Sequence, residues 1–150
     1  MPSSTLSIPA TAPIDLHLHT HHSDGDWQPA DLLDHLALAG FRLAAVTDHD
    51  RPDTTAELQR LAAARGLPLL VGVEMTTFFA GFNTDLLCYG FDPAAGPLHD
   101  LAGDVLRRQQ ENTRQAYENL GRQGYPLPDT TAEMEAILAL PAACQPHALV

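Results

Sequence analysis

Three short strand-like runs, residues 14–18 (apolar and polar in alternation), 41–46 and 69–73 (both apolar), are separated by two stretches of helical periodicity, and this alternation constrains the fold most. Pro29 suits the first position of a helix, and Leu32, Leu33, Leu36 and Ala39 then fall on one stripe before Gly40. Thr54-x-x-Glu57 reads as a capping box that opens a second helix through about Arg65, stopped by Gly66. Strand, helix, strand, helix, strand implies right-handed βαβ crossovers and a parallel sheet, so the expected class is α/β.

Residues 76–80 and 85–89 flank Gly81-Phe82-Asn83, which predicts a hairpin or an excursion before a fourth strand. A turn cluster at 92–97 precedes a long helix over about 99–120, broken by Gly121 and Gly124. Thr130-x-x-Glu133 is a second capping box, opening a helix to about Leu140, and residues 141–150 read as loop. With 150 residues the chain suits one domain, here 14–150 behind a disordered lead over 1–13. That lead lacks the basic start and apolar core of a signal peptide. No run approaches the roughly 18 apolar residues of a membrane span. Cys88 and Cys144 lack CxxC spacing, so reduced thiols in a cytoplasmic protein are expected. Eight Lys+Arg against 19 Asp+Glu give a net charge of −11, which argues against duplex DNA as a partner.

The polar residues cluster at the ends of the strand-like runs. Asp15, His17 and His19 alternate with Ile14, Leu16 and Leu18, so both imidazoles project from one face of the first strand. Ser23-Asp24-Gly25 lies in a polar loop that can fold Asp24 back over them. His49 follows the second run and Glu74 closes the third. In parallel α/β sheets, sites are built at the carboxyl ends of the strands. His17, His19, Asp24, His49 and Glu74 are therefore candidate metal ligands. An oxygen-and-imidazole set suits Mn²⁺, Fe²⁺ or Zn²⁺ in a catalytic centre, and Glu74 can bridge two ions. Asp15, Asp48 and Asp50 are expected to orient the histidines or their loops.

Asp-Leu-His-Leu-His-Thr with Ser-Asp-Gly, then Val-Thr-Asp-His-Asp, then Val-Gly-Val-Glu-Met-Thr, resemble the ordered motifs of the PHP (polymerase and histidinol phosphatase) family. The resemblance extends through residues 86–92 and the long helix to Gln145-Pro146-His147-Ala148. It implies a distorted, TIM-like (β/α)7 barrel, of which this chain is the N-terminal portion, carrying two or three divalent ions. It implies that His17, His19, Asp24, His49 and Glu74 are ligands. Asp85 stands where the family usually has a histidine and is expected to coordinate through oxygen. His147 matches a substrate-binding histidine, and Gln145 stands where the most similar subgroup has an arginine for the substrate phosphate. That subgroup resembles the nucleoside 3′,5′-bisphosphate phosphatases and 5′-3′ exoribonucleases.

The expected function is metal-dependent hydrolysis of a phosphate ester on a small nucleotide-like substrate or short RNA 5′ end, with a metal-activated water as nucleophile. No Ser or Cys triad is evident. The family continues beyond the motifs present here, with a His-Pro and an Asp-x-His strand end. One alternative is therefore a metal-binding PHP fragment of little activity, completed by further strands, a partner chain or self-association through an open barrel edge. Histidinol-phosphate phosphatase-like activity is a second alternative, fitting the middle of the chain less well.

Overall fold

The computed structural model describes residues 6–94, 96–127, 130–145 and 147–149. Of the expected N-terminal lead, residues 1–5 lie outside the described residues, and Pro9 to Ala12 form a turn closed by Ala12 N–H donating to the Pro9 carbonyl at 2.9 Å. Among the described residues, four strands form one sheet in the order β1 (Ile14–Leu18), β2 (Leu43–Val46), β3 (Leu69–Phe79) and β4 (Phe82–Tyr89). The first two pairings are parallel, as the alternating pattern required, and β3–β4 is antiparallel. The hairpin expected around Gly81 forms, because Ala80 and Gly81 take positive φ values of 51° and 91° in the turn. Strand β3 is longer than its apolar run suggests. Beyond Glu74 its ladder with β4, rather than hydrophobicity, keeps the backbone extended to Phe79.

Helices cover one face of this sheet. Helix α1 (Pro29–Leu38) and helix α2 (Thr55–Ala63) bury Leu32, Leu33, Leu36, Leu58 and Ala62 against Ala44 and Val46 of β2, with Leu18 and Leu69 packed beside them. Each such leucine contributes about 1.5–3 kcal/mol. The small side chains of β2 let both helices approach the backbone. Further along β3, Val73 and Met75 pack on Ala102 of the long helix α3 (Gly96–Arg122). Strand periodicity then sends Gly72 and Glu74 to the opposite face, with His17 of β1.

That opposite face is concave. The Tyr89 hydroxyl of β4 donates to the Leu16 carbonyl of β1 at 2.7 Å, although β1 and β4 are the two outer strands. In a flat sheet they would stand about 14 Å apart, well beyond a tyrosine's reach. The sheet therefore curls like a section of barrel wall. Gly72, in register with Tyr89, makes room: an added Cβ would lie 2.9 Å from Thr47 Cγ2 and 3.3 Å from the Tyr89 ring.

Three local expectations are corrected. Thr54 makes no capping box, because the 3-10 turn Pro52–Thr54 already holds it in helical φ/ψ, and its hydroxyl donates back to the Arg51 carbonyl at 2.9 Å. Helix α3 starts earlier than residue 99 and passes through Gly121, ending at Arg122 with Gly124 at a φ of 79°. Pro97 does not delay its start, because proline is tolerated in a first helical turn. Helix α4 (Thr131–Leu138) does carry its capping box, with Thr130 and Glu133 bonded reciprocally. It stops short of Leu140 because Gln145 occupies its end: this side chain is fully buried and its Nε2 donates to the carbonyls of Leu138 and Leu140.

Candidate metal centre

His17 and His19 lie at the carboxyl end of β1, Asp24 in the loop beyond it and His49 just after β2, whereas Glu74 lies within β3, bridged in parallel to His49, and Asp85 within β4. His17 and His19 share the concave face of β1 with ring centroids 5.1 Å apart, and His49 lies 4.8 Å from His19. Glu74, on β3, is buried. Its Oε2 lies 2.7 Å from His17 Nε2, 3.0 Å from His19 Nε2 and 3.7 Å from His49 Nε2. Asp24 reaches the same cluster from the loop, with Oδ1 3.0 Å from His19 Nδ1 and Oδ2 3.7 Å from His49 Nε2. Asp85, opposite Thr76 on β4, completes a third group with His49 and Glu74. Within each of the trios His17/His19/Glu74, His19/Asp24/His49 and His49/Glu74/Asp85, the ligand atoms lie within 4.8 Å of one another.

The loop owes its path to Gly25 and Asp48. Ser23 and Gly25 N–H both donate to the Thr20 carbonyl, at 3.1 and 3.0 Å, folding the loop onto β1. A Cβ on Gly25 would sit 2.4 Å from the His19 carbonyl oxygen, so only glycine allows this contact. The buried Asp48 carboxylate accepts from Thr20 N–H (2.6 Å), Thr20 Oγ1 (2.8 Å) and Ser23 Oγ (2.9 Å). Its role is thus to clamp the Asp24 loop rather than to orient His49. Asp50 takes a left-handed φ of 54°, and its Oδ1 accepts from Thr76 N–H at 2.9 Å. Burial pushes its carboxyl up, against the downward pull of the Thr76 bond. Asp15 Oδ1 accepts from His17 N–H at 3.1 Å, beside the first ligand. The Tyr89 phenol is raised by burial and then by the negative charge of Glu74 and Asp15.

Hydrogen bonding alone does not account for this cluster. A carboxylate oxygen has about two lone-pair sites, yet Glu74 Oε2 faces three imidazole nitrogens. His19 meets a carboxylate at each of its ring nitrogens. Such a set fits a divalent cation shared among neutral imidazoles and carboxylates.

The remaining sequence candidates belong to none of these trios. His147 is exposed on the 3-10 turn His147–Leu149. Pro146 of the same motif lies outside the described residues. Gln145, expected at the phosphate position, is instead withdrawn into the end of α4. Trp27 sits edge-on to His35 with centroids 5.3 Å apart, and Phe82 is exposed at the hairpin tip. Tyr89 was missed as a bridging residue, and no local pattern could have pointed to a bond spanning the whole sheet.

Comparison with known proteins places this geometry. Residues 15–139 match the PHP domain model. The 3′,5′-nucleoside bisphosphate phosphatase of Chromobacterium violaceum is 34% identical over 113 residues, covering 75% of this chain and 40% of that protein. A 5′-3′ exoribonuclease of Haemophilus influenzae is 26% identical over 116 residues, covering 77% and 42%. The solved structure of an amidohydrolase from Chromobacterium violaceum, with bound sulfate and no metal, superposes with a TM-score of 0.72 at 30% identity, covering 88% of this chain and 46% of that one. The chain thus spans about 40% of the length of the curated relatives it matches. A partial barrel wall with histidines and carboxylates on its carboxyl rim, matched by the family model over most of its length, places the chain in the PHP domain family.

Proposed function

We propose that this chain carries the metal-binding rim of a phosphoesterase that hydrolyses a phosphate ester of a small nucleotide-like substrate. The convergence of His17, His19 and His49 on one oxygen of the buried Glu74 carries this reading. His17, His19 and Glu74 would hold one divalent ion, His19, Asp24 and His49 a second, and Asp85 with His49 and Glu74 a third position. Mn²⁺, Fe²⁺ and Zn²⁺ suit such ligands. When bound, these ions supply Lewis acidity toward a phosphoryl oxygen and bring the pKa of a water toward neutrality. The chain's own residues do the rest: Glu74 holds the imidazoles together, Asp48 and Gly25 fix the Asp24 loop, and Tyr89 holds β1 against β4. His147 is assigned to the substrate. The Cys144 thiol donates to the Ser23 carbonyl at 3.2 Å, which ties the segment three residues before His147 to that loop.

Phosphate release from adenosine 3′,5′-bisphosphate in the presence of Mn²⁺ tests this. Turnover by the wild type, abolished in His17→Ala and in Glu74→Ala, is the expected result, and rates indifferent to both changes would sink it. A second reading, metal binding with little turnover, draws on the same trios together with the share of the relatives' length covered. Stoichiometric metal without phosphate release would select it.

A further inference from the structure

We propose that Arg51 is a positioning residue for the ion of the trio His19/Asp24/His49: by donating to the His22 carbonyl it holds the loop that presents Asp24. This role rests on the phosphoesterase reading, whose ions the trios would hold, and adds to it a residue outside the ligand set. Asp24 lies in a turn and its side chain is half-exposed, so the path of the loop decides where its carboxylate points. The Asp48 carboxylate holds that loop at Thr20 and at the Ser23 hydroxyl, and Gly25 folds its far end onto the Thr20 carbonyl. The His22 carbonyl, on the backbone between Thr20 and Asp24, is taken by Arg51 Nη1 at 3.1 Å.

Both ends of this side chain are fixed. At its root, Asp50 N–H donates to the Glu74 carbonyl at 2.8 Å and Asp50 Oδ1 accepts from Thr76 N–H at 2.9 Å, so the residue before Arg51 is tied to β3 beside Glu74. At its tip, Nε and Nη2 donate to the two carboxylate oxygens of Asp53 at 2.8 and 2.9 Å. A guanidinium is planar and its N–H groups form a rigid fork. Seating one edge of that fork on Asp53 therefore sets the direction of Nη1, which aims it at His22. An ammonium on a flexible stem has no such geometry. Asp53 also answers for the charge: a lone guanidinium near a cation site would repel the ion, whereas the paired one brings little net charge. Arg51 follows His49 by two residues and ends on the residue two before Asp24. It thus braces together the two loops that must close on one ion.

Calorimetric titration of the full chain with Mn²⁺ tests this apart from turnover. Asp24→Ala identifies the ion of His19/Asp24/His49 as the one it removes. Arg51→Met keeps an unbranched stem beside the cavity that Arg51 borders with Asp50, the Pro52–Thr54 turn, α3 and the segment after α4, but donates no hydrogen bond. It should weaken that same ion by about 10–100-fold and leave the ion of His17/His19/Glu74 within about twofold. Asp24→Ala/Arg51→Met should lose nothing beyond Asp24→Ala, because Arg51 acts only through Asp24. Arg51→Lys, with the charge but not the fork, should show the loss as well, and Asp53→Asn a smaller loss of the same ion. Unchanged affinity in Arg51→Met, a loss that adds to that of Asp24→Ala, or wild-type affinity in Arg51→Lys would each overturn the proposal. Should Arg51→Met fail to fold, Asp53→Asn decides, and an unchanged isotherm there overturns it. If the wild type binds no Mn²⁺, the metal rim falls and this role with it. If the Mn²⁺ losses follow the expected pattern without any phosphate release from the bisphosphate, the phosphoesterase reading alone falls.

Discussion

Replacing Gly25 by alanine should separate folding from metal binding in this protein. The new Cβ would lie 2.4 Å from the His19 carbonyl oxygen, 2.5 Å from its carbon and 2.8 Å from Thr20 N, all backbone atoms of β1 and its loop. Ordinary non-bonded contacts are about 3.5 Å, so the loop must retreat by roughly 1 Å. Overpacking of this kind costs about 1–3 kcal/mol. Loss of the Gly25 and Ser23 bonds to the Thr20 carbonyl adds about 1 kcal/mol each. Against a domain stability of about 5–15 kcal/mol, the variant should remain folded. Its metal affinity should suffer more. Asp24 immediately precedes Gly25, and ligand distances tolerate only about 0.2 Å of error. The trio His19/Asp24/His49 should therefore fail while His17/His19/Glu74 survives. Urea unfolding followed by circular dichroism reads the first effect, and Mn²⁺ titration the second. Gly103→Ala is the control, since its Cβ meets nothing within 4 Å and alanine should stabilise α3 by about 0.5–1 kcal/mol. A Gly25→Ala protein that binds metal like the wild type, with stability changed by less than about 0.5 kcal/mol, would refute the reasoning.

Other perturbations test neighbouring parts of the structure. Asp48→Ala leaves Thr20 N–H, Thr20 Oγ1 and Ser23 Oγ without their acceptor. It should cost about 3–5 kcal/mol in denaturant unfolding, and a loss below about 1 kcal/mol would contradict the clamp. Thr130→Ala should destabilise by about 1 kcal/mol through its lost cap, whereas Glu57→Ala should stay within about 0.5 kcal/mol because α2 has no capping box. The hydrogen-bonded Arg51 guanidinium holds the Asp53 carboxyl below its ordinary value of 3.8. Its stabilisation is therefore present above that pH and lost as pH falls through the native pKa. Because the Asp53 side chain is about half exposed, Asp53→Asn should cost no more than about 1 kcal/mol at pH 7. The wild type and this variant should converge at pH values below the native pKa, as read by urea unfolding at each pH. A difference that grows on acidification would reverse the sign.

What the sequence determined by itself was local. Period-2 alternation in residues 14–19 puts His17 and His19 on one face, and three strand-like runs ending in His, His and Glu make a rim of ligands in any parallel sheet. Thr130 and Glu133 are three residues apart, so their capping box needs nothing distant. The tertiary structure decided whatever depends on a partner far along the chain. Thr54 lost its box to the turn started by Pro52, and Gln145 was drawn into the end of α4. Asp48 turned to the Thr20 loop because parallel pairing of β1 and β2 sets the two loops side by side. The Tyr89–Leu16 bond exists only because the sheet curls, and the cavity beside Asp50 only because α3 and the segment after α4 close over it. Periodicity and turn chemistry act over a few residues, whereas the closing of a sheet brings together groups that no local spacing relates.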